Sequence, residues 1–135
     1  MPLQMKLLAI TLDCADPQAL AAFYHRATGF ALHPESHGDF AGVAREDGLA
    51  IGFQRVDDYT PPVWPGQSVP QQFHMDFEVD DLDDAVAQLL ELGAGTPEHQ
   101  PGGERWRVLT DPAGHPFCLV ERRRRPTSDG SSEPQ

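Results

Sequence analysis

His74 and Asp76 stand two residues apart in FHMDFEV, so an extended strand projects an imidazole and a carboxylate from one face, the arrangement of an acid-base pair. Gln72, two residues before His74, adds an amide to the same face. Cys118, in PFCLV, reads as a small buried hydrophobe. If it converges with His74, the imidazole lowers the thiol pKa toward a nucleophilic or redox-sensitive thiolate. His74 has three readings: a satisfied structural histidine, a ligand-contacting or acid-base residue with Asp76, or a metal ligand with Cys118 and either His99 or Asp76. A Cys-His pair binds zinc, yet two firm ligands fall short of the three that catalytic sites show.

Trp64, in PPVWPG, and Trp106, after QPGG, offer flat rigid faces to an organic ring, with ordinary packing as the alternative. Arg105 and Arg107 alternate on one strand face, where they reach a substrate anion or remain solvated edge charges. His115 follows a turn glycine and reads as a turn residue. His25, His33 and His37 lack ligand spacing, and the surface is their default place. Asp80, Asp81, Asp83 and Asp84 complement a helix N-terminus, and their spacing is not that of an EF-hand loop.

Positioning these side chains falls to a short alternation of strand and helix that occurs twice. In LAITLDC, residues 8–14, Leu8, Ile10 and Leu12 take one strand face and Ala9, Thr11 and Asp13 the other. Asp16-Pro17 then supplies a cap and a first-turn proline, and Leu20, Phe23, Tyr24 and Ala27 form a helical stripe that ends near Gly29. In residues 73–94, Met75, Phe77 and Val79 oppose His74, Asp76 and Glu78, Asp81 is the cap, Leu82, Val86, Leu89 and Leu90 form the stripe, and Gly93 closes the helix. A shift of 65 residues lays Ala9 on His74 and Asp16 on Asp81, and a shift of 64 lays Gly29 on Gly93 and Asp47 on Asp111. Each half reads as strand, helix and three strands, with the last two flanking an Asp-Gly or Asp-Pro-Ala-Gly turn. The same parity turns Gly52 and Gln54 inward from the last strand of the first half, and Cys118 and Val120 from that of the second.

At 135 residues there is room for one domain or two small modules sharing a core. Apolar residues at 39% suffice to bury that core. We expect a single domain over residues 1–121, with modules at about 5–56 and 72–121, a proline-rich linker at 57–71 and a disordered tail at 122–135. A formal charge of -11 has the wrong sign for nucleic acid or anionic lipid, so neither is an expected partner. Two cysteines without CxxC spacing, no signal-peptide pattern and no ~20-residue apolar run point to a soluble cytoplasmic protein.

The tandem repeat, with VDDLDDAVAQLLELGA opening its second half and DPAGHPF before the last strand, resembles the vicinal oxygen chelate superfamily of glyoxalase I, extradiol dioxygenases and bleomycin and fosfomycin resistance proteins. FQRV, PPVWPG, PQQFHMDFEVDDLDDAV and QPGG are most similar to its glyoxalase-like branch, which is common in bacteria. The resemblance implies an α+β fold of two βαβββ modules whose curved sheet encloses a U-shaped cavity, with helices on the convex side. It also implies a homodimer and, in metal-dependent members, a divalent ion held by four ligands, one from the first and last strand of each half. Those places here are Ala9, Gln54, His74 and Cys118, of which only His74 is an unmodified match. Glyoxalase chemistry needs a metal-bound carboxylate as base, and none stands at these positions, so glyoxalase I activity is not expected.

Two function classes follow. One is a protein that binds a small organic molecule without the usual metal site and with no cofactor, through Gln54, Trp64, Gln72, His74, Trp106 and Cys118. The other is a lyase, isomerase or dioxygenase with His74, Asp76 and Cys118 as catalytic residues. It uses either the His74/Asp76 pair or a divergent zinc, iron, manganese or nickel site at His74, Gln54 and Cys118.

Overall fold

The computed structural model describes residues 3–122. In chain order its elements are β1 (Ala9–Cys14), α1 (Pro17–Thr28), β2 (Ala31–Leu32), β3 (Phe40–Ala44), β4 (Ala50–Arg55), β5 (Asp76–Val79), α2 (Leu82–Leu92), β6 (Trp106–Thr110) and β7 (Pro116–Glu121). Both helices start as their local sequence dictates. The Asp16 carboxylate accepts the Ala19 N–H at 3.1 Å and the Asp81 carboxylate accepts the Asp84 N–H at 3.0 Å, satisfying donors that have no intrahelical partner. Gly29 and Gly93, at φ 78° and 115°, end the helices in the left-handed region.

Two sheets result, ordered β1-β4-β3-β2 and β5-β7-β6. In each, the first strand runs parallel to the last, the pairing that a helical crossover permits. The second half departs from its expected three closing strands. Its counterpart of β2 shrinks to a single bridge between Gly95 and Thr110. Pro97 and Pro101 in the following segment have no N–H for a ladder. The Gln100 side chain takes over part of that edge, accepting the Val108 N–H at 2.9 Å and donating to the Val108 carbonyl at 2.8 Å. The expected tail lies outside the described residues apart from Arg122.

Burial follows the alternation with two corrections. Leu12 and Cys14 are buried, Ile10 is half-buried on their side, and Ala9 and Thr11 are exposed. Leu8, placed on the same strand face as Ile10 and Leu12, is 66% exposed: it precedes β1, and only its carbonyl is tied, to the Ala50 N–H at 3.0 Å. Leu90, assigned to the α2 stripe, is 43% exposed. At 100° per residue it lies well off the line through Leu82, Val86 and Leu89.

One ring cluster joins the halves. Tyr24 of α1 stacks on Phe53 of β4, with centroids 5.5 Å apart and planes at 10°, and meets Phe117 of β7 at 6.2 Å. Phe77 of β5 packs edge-on against Phe117 at 5.9 Å. Beneath the rings the Tyr24 hydroxyl donates to the buried Asp111 carboxylate at 2.7 Å, whose other oxygen accepts the N–H groups of Ala113 and His115 at 2.9 and 3.0 Å. Burial pushes Asp111 above the usual carboxylate range, and burial with the adjacent Asp111 charge pushes the Tyr24 phenol well up.

Phe117 meets rings from α1 and β5, so Phe117→Ala should cost about 3–5 kcal/mol, read as a lower urea midpoint. Because Asp111 holds its proton more tightly folded than unfolded, its contribution is complete below the ordinary carboxylate range and is lost as pH rises through the folded value. Asp111→Asn keeps the turn acceptor without the titration. The wild type should therefore lose stability relative to this variant as pH rises above the ordinary carboxylate range, measured by paired urea titrations at stepped pH.

Candidate functional site

Residues paired across these ladders share a face, so the register states what the helix-free side of each sheet presents. In the first sheet Thr11, Gly52 and Gly42 align, followed by Asp13, Gln54 and Phe40. This floor is nearly flat. A Cβ at Gly52 would meet the Phe40 ring at 2.8 Å, so glycine is what lets that ring lie across the strand. In the second sheet Asp76, Cys118 and Val108 align, followed by Glu78, Val120 and Trp106.

The β5–β7 register therefore sets Asp76 directly beside Cys118, and His74 joins them from the lead-in to β5. His74 Nε2 lies 3.6 Å from Asp76 Oδ1, and donor atoms of His74, Asp76 and Cys118 all fall within 4.8 Å of one another. The imidazole and carboxylate are open to solvent while the thiol is 9% exposed, so the cluster is a cup with sulfur at its base. Burial first, then the charge of Asp76 and a hydrogen bond to it, push the Cys118 thiol up to about 11. At neutral pH this group is a protonated donor, the reverse of the thiolate that proximity to a histidine suggests in sequence. Cys14 is also raised to about 11 by burial, but it projects to the helix side, where its thiol donates to the Gln54 carbonyl at 3.7 Å.

The other sequence candidates are distributed around this cup. Gln72 is spent on Asp13: its Oε1 accepts the Asp13 N–H at 3.2 Å and its Nε2 donates to the Asp13 carboxylate at 2.8 Å. Gln54 is exposed, with its amide donating to the Asp39 carbonyl at 3.3 Å. Ala9, the counterpart of His74, brings no donor. His99 packs against Trp64, with ring centroids 5.3 Å apart, and takes no part in the donor cluster. Trp106 is half-buried on the open face beside Val120, its ring over Gly102, where any Cβ would collide. Arg107 shares the helix-side face of Leu119 and is half-buried rather than a solvated edge charge, whereas Arg105 is exposed.

His115, read as a turn residue, is 1% exposed and ties the halves together. Its Nε2 lies 2.7 Å from the Asp13 carbonyl, which only accepts, so this nitrogen carries the hydrogen. The Tyr59 hydroxyl, 3.3 Å from the same nitrogen, donates to the Ala113 carbonyl at 2.7 Å. Sequence reading missed this role of Asp13 and His115, because the two lie 102 residues apart and no local pattern links them.

The comparisons with known proteins agree with this architecture. A possible glyoxalase from Bacillus cereus superposes with a TM-score of 0.63 at 18% identity, over 86% of this chain and 98% of that one. A glyoxalase/bleomycin resistance protein/dioxygenase family enzyme from Burkholderia phytofirmans PsJN does so at 0.66 and 20%, over 87% and 98%. The fosfomycin resistance protein FosX from Listeria monocytogenes, a mutant complexed with Mn(II) and 1S,2S-dihydroxypropylphosphonic acid, gives 0.64 and 19%, over 87% and 90%. No curated protein matches the chain. A family model described as a glyoxalase-like domain matches residues 9–120, from the first residue of β1 to the penultimate residue of β7, and the chain belongs to that family.

Proposed function

We propose that this protein binds a small organic molecule on the open face of its paired sheets, with His74, Asp76 and Cys118 as the polar contacts and Trp106, Trp64 and Phe40 as flat walls. The observation that carries the reading is the donor cluster itself: three side chains of different chemistry within 4.8 Å, on a face no helix covers. In this setting the neutral thiol and the carboxylate offer a donor and an acceptor side by side, and the imidazole offers either, so a ligand polar group is fixed in orientation.

The fold family implies a divalent ion with one ligand from the first and last strand of each half, and the residues present do not fit that centre. Ala9 has no donor atom, and the Gln54 amide is turned to the Asp39 carbonyl. A second reading rests on the same cluster. His74, Asp76 and Cys118 supply the nitrogen, oxygen and sulfur of a three-ligand site, all from the second half of the chain. There a metal would act as a Lewis acid with positions open to substrate oxygens. It would first have to displace the thiol proton, which the raised Cys118 pKa opposes near neutrality.

Metal content of untagged protein purified without chelator separates the readings. The binding reading expects less than about a tenth of an equivalent of zinc, iron, manganese or nickel, and no tight uptake on titration. Near-stoichiometric metal that falls in both His74→Ala and Cys118→Ala would replace it with the metal reading. A thermal-shift screen of small organic molecules should then yield stabilisers that act equally with and without EDTA. Saturation at about 100 times Kd is worth about 2.7 kcal/mol, and His74→Ala should weaken such ligands by about tenfold.

A further inference from the structure

The charge on the open face narrows the ligand. Resting on the binding reading above, we infer that the site takes an organic cation, an amine or amidine carried on a flat ring, and rejects carboxylate, phosphate and phosphonate anions. None of the strand positions that the register turns to this face carries lysine or arginine. The arginines of the sheets point elsewhere. Arg107 lies on the helix-side face with Leu119, and Arg55 shares the face of Cys14, where Asp39 and Asp57 each hold it at 3.0 Å. The carboxylates that occupy the open face are Asp13, Asp76 and Glu78, with the His74 imidazole 3.6 Å from Asp76.

This sign is not set by the carboxylates alone, because the same face also supplies the surface for a ring. Phe40 lies across Gly52, with the small residues Gly42 and Thr11 around it, and Trp106 stands beside Val120 and Glu78 in the second sheet. Asp13 joins the two floors, since its carboxylate is held by Gln72, two residues before His74. A ligand that spans them lays its ring on an apolar, aromatic floor and brings its charged end to Asp76 and Glu78. A cation there gains the attraction of two carboxylates and of the ring faces, while an anion meets like charge, with His74 the one basic side chain beside it among the described residues. The overall charge of -11 raises the local concentration of the first and lowers that of the second.

The test uses three probes of one shape and different charge, 2-phenylethylamine, 2-phenylethanol and 3-phenylpropanoate, titrated into the full chain by calorimetry and tryptophan fluorescence at low and high salt. The amine should bind at least about tenfold tighter than the carboxylate, with the alcohol between them and the spread shrinking in salt. Glu78→Gln and Asp76→Asn should each narrow the amine-to-carboxylate ratio, with folding checked by circular dichroism. Equal or tighter binding of the carboxylate overturns the cation inference and leaves the binding site standing. If none of the probes binds at millimolar concentration, the ring-binding face itself falls, and the cation inference falls with it.

Discussion

Asp13 is the residue on which the geometry of the open face depends. Its N–H and carboxylate are tied to Gln72, and its carbonyl receives the Nε2 hydrogen of His115, so every polar group of Asp13 is bound to the second half of the chain. Because a carbonyl and a carboxylate cannot be left unpaired near a core without cost, these bonds fix how the sheets meet. The Tyr24, Phe53 and Phe117 rings fill the space beneath them. Asp111 then holds Tyr24 and the turn that delivers His115. Each part constrains the next: the turn places His115, His115 holds β1, and β1 holds Gln72 and the lead-in that carries His74.

The same register that builds the cup decides the state of its sulfur. Parallel pairing of β5 with β7 places Asp76 opposite Cys118. Burial of the thiol opposes its ionisation, and the carboxylate beside it adds to that. At neutral pH the sulfur is thus a protonated thiol rather than a thiolate nucleophile. In the first half, Ala9 stands where the repeat would place the partner of His74, so the two halves share a fold and differ in chemistry.

Much of the fold was legible in the chain because its signals are local. Asp16 and Asp81 cap, Gly29 and Gly93 terminate, and the period-two runs around Leu12 and Phe77 sort inside from outside within a few residues. Those runs also put Asp13, Gln54, Asp76 and Cys118 on the helix-free face that the register gives them, since parity is a property of the backbone. Where local pattern and context diverged, context won. Leu8 and Leu90 are as apolar as their neighbours, but neither has an element packed over it, and the prolines after Gly95 removed a strand that the repeat called for.

By itself the sequence determined both helices, the repeat, the parity of the strands and the sign of the charge, because each follows from residue type and local period. Only the tertiary structure decided which of those side chains meet. Choosing Asp76 over His99 as the third member of the donor cluster required the β5–β7 register and the pairing of His99 with Trp64. Moving His115 from an apparent turn to the tie between the halves required its approach to a carbonyl 102 residues away. Raising the Cys118 pKa rather than lowering it required the burial of the sulfur and the nearness of one carboxylate. These are questions of distance and dielectric, and distance across a chain is set by packing rather than by pattern.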